Sequence, residues 1–115
     1  MDGKAISEYC LSKKGVVEDL PFGPDVLVYK VASKIFILIS DRGSKLSISV
    51  KCDPILAEDF RQRYSSVTPG YHMNKRHWNT IVIDESIPEN ELFWMINHSY
   101  ELILKSLTKA ERDSM

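Results

Sequence analysis

Cysteine is scarce in this chain and is not arranged to hold metal. The two cysteines among 115 residues, Cys10 and Cys52, form no C-x-x-C pair and no metal-ligand spacing. Both sit in apolar surroundings, so buried free thiols in a reducing compartment are expected. Long hydrophobic runs are missing as well. The longest, Ile35–Ile39, is far short of the roughly 20 residues of a membrane helix. The opening Met1-Asp2-Gly3-Lys4 has neither a basic nor an apolar leader segment, so no signal peptide is expected and the cytoplasm is the expected location. Neither sign of charge dominates. Lys and Arg number 15 against 16 Asp and Glu, a net charge of -1, which argues against non-specific coating of nucleic acid and leaves room for a local basic patch. Internal repeats, low-complexity tracts and domain linkers are absent too.

What is present describes one ordinary folded domain over residues 1–115. Hydrophobic residues make up 43% and charged residues 27%, and a chain of this length buries enough surface to fold without a staple. Asp2 is placed to cap a first helix running to about Lys14, with Ile6, Tyr9 and Cys10 on one face and Gly15 as a stop. Between Val16 and Asp25, two prolines and a glycine predict an irregular stretch, with Leu20 and Phe22 packing it down. Three strands are expected next. Val26–Val31 is β-branched and aromatic, Ala32-Ser33 is a hairpin turn, and Lys34–Ile39 is apolar enough to be central and covered. After the turn-forming Asp41-Arg42-Gly43-Ser44, Lys45–Lys51 alternates, with Leu46, Ile48 and Val50 inward.

Asp53-Pro54 predicts a helix start with a buried stripe of Ile55, Leu56, Phe60 and Tyr64, and with Glu58, Asp59, Arg61, Gln62 and Arg63 outside. A short strand near Ser65–Thr68 and a strand Trp78–Ile83 follow. Ser86-x-x-Glu89 fits a capping box for a long helix to about Leu107, and Thr108-x-x-Glu111 fits a second. The order is α-β-β-β-α-β-β-α. Runs of strands bounded by helices, without β-α alternation, predict an α+β domain: a two-layer, antiparallel sheet of about five strands with helices on one face.

The chemistry concentrates in Pro69-Gly70-Tyr71-His72-Met73-Asn74-Lys75-Arg76-His77-Trp78-Asn79-Thr80. Lys75 and Arg76 offer donors to an anion, and Arg can fork onto phosphate. Tyr71, His77 and Trp78 offer flat faces for stacking. Asn74 and Asn79 either pair with a base or cap the turn. The bland alternative is that Trp78 is core and Asn74–His77 a solvated turn.

This stretch resembles the signature of the MmcQ/YjbR family of small bacterial proteins. The likeness extends to Glu18–Asp25, to Lys51-Cys52-Asp53-Pro54 and to Ser99-Tyr100. It implies a compact fold similar to CyaY (frataxin-like) and a proposed double-wing DNA-binding arrangement of hairpins. The turn Ala32-Ser33 departs from the glycine-containing hairpin associated with the family. A frataxin-like fold suggests iron, but the carboxylates here are scattered, and His72 and His77 have no Cys, Asp or Glu between them, so no metal and no cofactor is expected.

Three functions compete. In the first, weak DNA binding, His72, Asn74, Lys75, Arg76, His77, Trp78 and Asn79 make the contact, and Lys45 and Lys51 extend the track. In the second, a small-molecule or enzymatic pocket, His72 or His77 acts as acid or base and Phe22 and Tyr71 form a wall. No nucleophile-base pair supports it, so an enzyme is the weaker expectation. In the third, a protein-interaction module, Trp94 and His98 stand one helical turn apart outside the buried stripe. A monomer is the expected state.

Overall fold

The structure is a computed structural model and describes residues 1–41, 45–70 and 73–115. Arg42, Gly43 and Ser44 of the expected Asp41–Ser44 turn, the candidate pocket-wall residue Tyr71 and the candidate contact residue His72 lie outside the described residues.

Among the described residues, six strands form one antiparallel sheet in the order β1-β2-β3-β4-β6-β5. The strands are β1 (Val16–Asp19), β2 (Val26–Val31), β3 (Lys34–Ser40), β4 (Ser47–Lys51), β5 (Val67–Pro69) and β6 (Trp78–Val82). Helices α1 (Gly3–Leu11), α2 (Pro54–Arg63) and α3 (Glu89–Ser106) pack on one face, and α4 (Lys109–Asp113) follows α3. The α+β, two-layer reading therefore holds, with six strands instead of about five.

The added strand is β1, in a stretch expected to be irregular. Both prolines there fall after Asp19, so Val16–Asp19 keeps its backbone donors and pairs with β2 from Val16↔Val31 to Asp19↔Val28. The loop beyond it does not pack down: Leu20 and Phe22 are 51% and 58% exposed.

The core lies between the sheet and the helices, where Tyr29, Ile37, Ile48, Val50 and Ile81 meet Ile6, Cys10, Met95 and Ile96. Strand β3 is central, but helices cover only one of its faces. Its continuous apolar run has another cause. Tyr29 pairs with Ile37 and Lys30 with Ile35, so Phe36 is an extra, bulged residue. The bulge turns Phe36 to the core, where its ring meets Tyr100 edge-on at 5.3 Å and its carbonyl accepts the Ser99 hydroxyl at 2.5 Å.

Local capping explains most helix starts. Asp2 accepts the Ala5 N–H at 2.8 Å. Asp53 accepts from Ile55 and Leu56 at 3.0 and 3.3 Å, and Thr108 and Glu111 form a complete capping box. The box expected at Ser86 does not form. Glu85 has φ 69°, and the chain turns so that the Ser86 hydroxyl lies 2.5 Å from the Asp84 carboxylate and 3.0 Å from the Ser66 hydroxyl. Helix α3 then starts at Glu89 behind Pro88, without a side-chain cap.

Helix α2 is rotated from its expected setting. Ile55 is 80% exposed, whereas Ala57 and Phe60 are buried. The inward positions are Ala57, Phe60, Arg61 and Tyr64, a helical i, i+3, i+4, i+7 series. An arginine thus lies on the inner face.

Candidate nucleic-acid interface

Gly70 and residues 73–77 lie between β5 and β6, and backbone contacts set the two sides of this hairpin. The Gly70 N–H donates to the Trp78 carbonyl at 2.8 Å. A Cβ at Gly70 would stand 2.7 Å from the Trp78 Cβ, so the chains approach this closely only with glycine there. On the other side, Cys52 N–H donates to the His77 carbonyl at 2.7 Å and ties the loop to the end of β4. Within the loop, Asn74 Oδ1 accepts the Arg76 N–H at 3.0 Å, and the His77 N–H reaches the Asn74 carbonyl at 3.1 Å. Asn74 therefore spends its side-chain oxygen on its own turn.

Arg61 locks the loop from α2. Its Nε donates to Asn79 Oδ1 at 2.7 Å. Its Nη2 donates to the Lys75 carbonyl and, at 3.3 Å, to the Trp78 carbonyl. Asn79 completes the lock through Nδ2 to the Ala57 carbonyl at 3.3 Å. Only the planar, multi-donor guanidinium reaches acceptors spread in this way. Arg61 is the residue that sequence reasoning missed. Its signal was present: starting the inner stripe at Ala57 instead of Ile55 puts Arg61 inside.

This geometry sorts the expected contact residues. Asn74, Lys75 and Arg76 are exposed at the tip, and neither cation forms an ion pair with a described residue. His77 is half-buried beside them, with its carbonyl and N–H committed. Asn79 is only 2% exposed and fully engaged by α2, so it is an architectural residue and not a contact. Trp78 is half-buried and stands across from Lys51, on the sheet face away from the helices.

Two expected members lie elsewhere. Lys45 precedes β4, at the far end of the strand from Lys51. It lies near Asp84, whose carboxyl is held below its ordinary value chiefly by the Ser86 hydroxyl and N–H, with a smaller contribution from Lys45. Lys45 thus stands at the end of β4 away from the hairpin cations. Phe22 lies in the β1–β2 loop, on the opposite edge of the sheet from β5 and at the end where Val26 pairs with Ser40. It does not wall a pocket with the hairpin.

A hollow of about 150 Å³ lies between the hairpin and the start of α2, lined by Pro54, Ile55, Glu58, Arg61 and Arg76. It is smaller than the roughly 300 Å³ at which ordinary ligand pockets begin, and no histidine lines it. A larger groove of about 350 Å³ runs between α2 and α3 past Leu56, Phe60, Arg63, Glu91 and Trp94. Trp94 is 48% exposed and stacks on His98 at 4.8 Å and 16°. His98 Nε2 accepts the Asp53 N–H at 3.2 Å, so the imidazole is neutral there. Burial holds its pKa below the ordinary value, helped by Lys105 and opposed by Asp53.

Among the described residues no group of three or more His, Cys, Asp or Glu is placed to hold a metal ion. Burial raises the pKa of the Cys10 thiol to about 12 and of the Cys52 thiol to about 11, which disfavours the thiolate form at neutral pH. Among the described residues, no helix is long and apolar enough to cross a membrane.

The family model described as YjbR matches residues 11–102. YjbR of Escherichia coli (strain K12) is 30% identical over 105 residues, covering 91% of this chain and 89% of that protein. YbdF of Escherichia coli O157:H7 is 40% identical over 92 residues, covering 80% and 75%. The crystal structure of Deinococcus radiodurans DR2400, carrying the family-model domain DUF419, superposes with a TM-score of 0.89 at 33% identity, covering 96% of this chain and 85% of that one.

Proposed function

The chain belongs to the YjbR family, and for it we propose weak DNA binding through the β5–β6 hairpin. The observation that carries this reading is the tip itself: Lys75 and Arg76 are exposed, side by side and without carboxylate partners among the described residues. The loop is held in shape from behind by Arg61, so the tip needs little ordering on contact, which favours binding. Lys75 and Arg76 meet backbone phosphates and His77 supports them. Lys51 lies at the same end of the sheet, opposite Trp78.

With so few cations, affinity is low and the salt dependence shallow, corresponding to about two to four phosphates. The test is fluorescence anisotropy with a labelled duplex, titrated from low to physiological salt. Binding is expected at low salt and falls about tenfold or more in the Lys75→Ala, Arg76→Ala double variant, with a flatter salt slope. Undetectable binding at low salt, or a double variant that binds like the wild type, overturns the reading.

A further inference from the structure

The sheet face turned away from the helices has no described helix over it, and its composition is not that of an ordinary solvated face. Exposed sheet faces usually carry long charged side chains of both signs. Here the pairings Ser47↔Val82, Ser49↔Thr80 and Lys51↔Trp78 line up β4 and β6, and Thr68 continues the middle row on β5. These positions alternate with the buried Ile48, Val50, Asn79 and Ile81, so they share the outer face. They offer short hydroxyls, of which Ser49 and Thr80 bond each other at 2.9 Å, one valine, one indole and one ammonium, and no carboxylate. A carboxylate of this face, Asp19 on β1, is separated from β4 by two strands and is bound by Lys30 at 2.9 Å. Among these paired positions of β4, β5 and β6, Lys51 is the charged residue, and it lies at the end that carries Lys75 and Arg76.

We infer that this face is a binding platform for single-stranded DNA. The inference deepens the hairpin reading by naming the strand state of the ligand, and it rests on that reading for the contribution of Lys75 and Arg76. A duplex hides its base faces. A single strand presents both a π-face and a phosphate at each nucleotide, and Trp78 beside Lys51 matches that pair. The indole takes a base by stacking, the ammonium of Lys51 takes an adjoining phosphate, and the short side chains of Ser47, Ser49 and Thr68 leave the strand room to lie close to the sheet. The hairpin cations then hold the phosphates where the strand leaves the face. Such recognition tolerates many sequences, because every base has a π-face.

The chain's own tryptophans provide the assay. There are two, and Trp94 stands on helix α3, stacked on His98. In a Trp94→Phe background Trp78 is the sole indole. Titration with an oligothymidylate of about 15 nucleotides is expected to quench its emission and to bind more tightly than a duplex of equal length. Trp78→Ala is expected to weaken oligothymidylate binding by about five- to a hundredfold, whereas Trp78→Phe, which keeps a stacking ring, loses much less. Lys51→Ala lowers affinity and reduces the salt slope by about 0.7. Circular dichroism of each variant separates misfolding from lost contact.

The two readings fail separately. Duplex bound as tightly as the oligothymidylate, with no change in Trp78 emission and with loss on Lys75→Ala plus Arg76→Ala, overturns the platform and keeps the hairpin. Oligothymidylate binding that depends on Trp78 and Lys51 but ignores Lys75 and Arg76 keeps the platform and overturns the hairpin. Binding of neither nucleic acid overturns both.

Discussion

Two hairpins point toward the same end of the sheet, and they are built in opposite ways. The β2–β3 hairpin turns on Ala32 and Ser33 alone, at φ 50° and 68°. Positive φ at both central positions suits the twist of a two-residue hairpin, but it favours Gly and Asn over Ala and Ser. Its nearest cation, Lys34, is occupied by Glu111 at 3.8 Å and by the Ser106 carbonyl at 3.5 Å. The β5–β6 hairpin uses a long loop instead, fastened by Gly70, Asn74, Arg61 and Asn79, and leaves Lys75 and Arg76 unpaired with any described carboxylate. One hairpin is closed by a strained backbone and is electrically quiet. The other is closed by side chains and presents charge. In a double-wing arrangement the two wings would therefore be unequal, with ligand contact concentrated on the second.

The largest expected effect breaks the lock. Arg61→Lys keeps the charge but not the fork, and it leaves the buried Asn79 short of a partner. A loss of about 2–4 kcal/mol in urea unfolding is expected, together with weakened duplex binding although Lys75 and Arg76 are untouched. Normal stability and normal binding in that variant would remove Arg61 from the account.

A smaller effect of opposite sign is expected at the other hairpin. Replacing Ala32-Ser33 by Asn-Gly relieves two left-handed residues and should raise stability by about 1–2 kcal/mol. DNA affinity should stay unchanged, measured on the same anisotropy assay. A change in affinity would show that the first wing also makes contact.

The smallest effect concerns His98. Its folded pKa lies below the unfolded value of about 6.5, chiefly through burial. The unfolded state then binds the proton more readily, so stability is complete above the unfolded pKa and declines as pH falls through that value toward the folded one. Protonation also removes the acceptor for the Asp53 N–H at the head of α2. Urea midpoints between about pH 7.5 and 5 should show this decline, and His98→Gln should flatten it. An equal slope in both proteins would assign the decline to other groups.

Much of this molecule was legible in its residues because the responsible interactions are local. The caps at Asp2, Asp53 and Thr108 form within one turn, and the alternation of Ile48 and Val50 states which face of β4 is buried. The concentration of Lys75 and Arg76 on a loop was also visible. Errors arose where a distant partner decides. Ser86 fits a capping box but stands next to Asp84 and Ser66. Val16–Asp19 has weak strand character and is ordered by β2.

Sequence by itself determined the class of fold and which loop holds the chemistry, since periodicity, capping and turn residues act over a few positions. Tertiary structure decided the rotation of α2. With that rotation it decided that Arg61 faces inward, that Asn79 is architectural, and that Trp78 shares the outer face with Lys51. The physical reason is one of range. An apolar stripe on a ten-residue helix is nearly as well satisfied one position over, so the choice falls to the carbonyls of the hairpin that Arg61 meets across the fold.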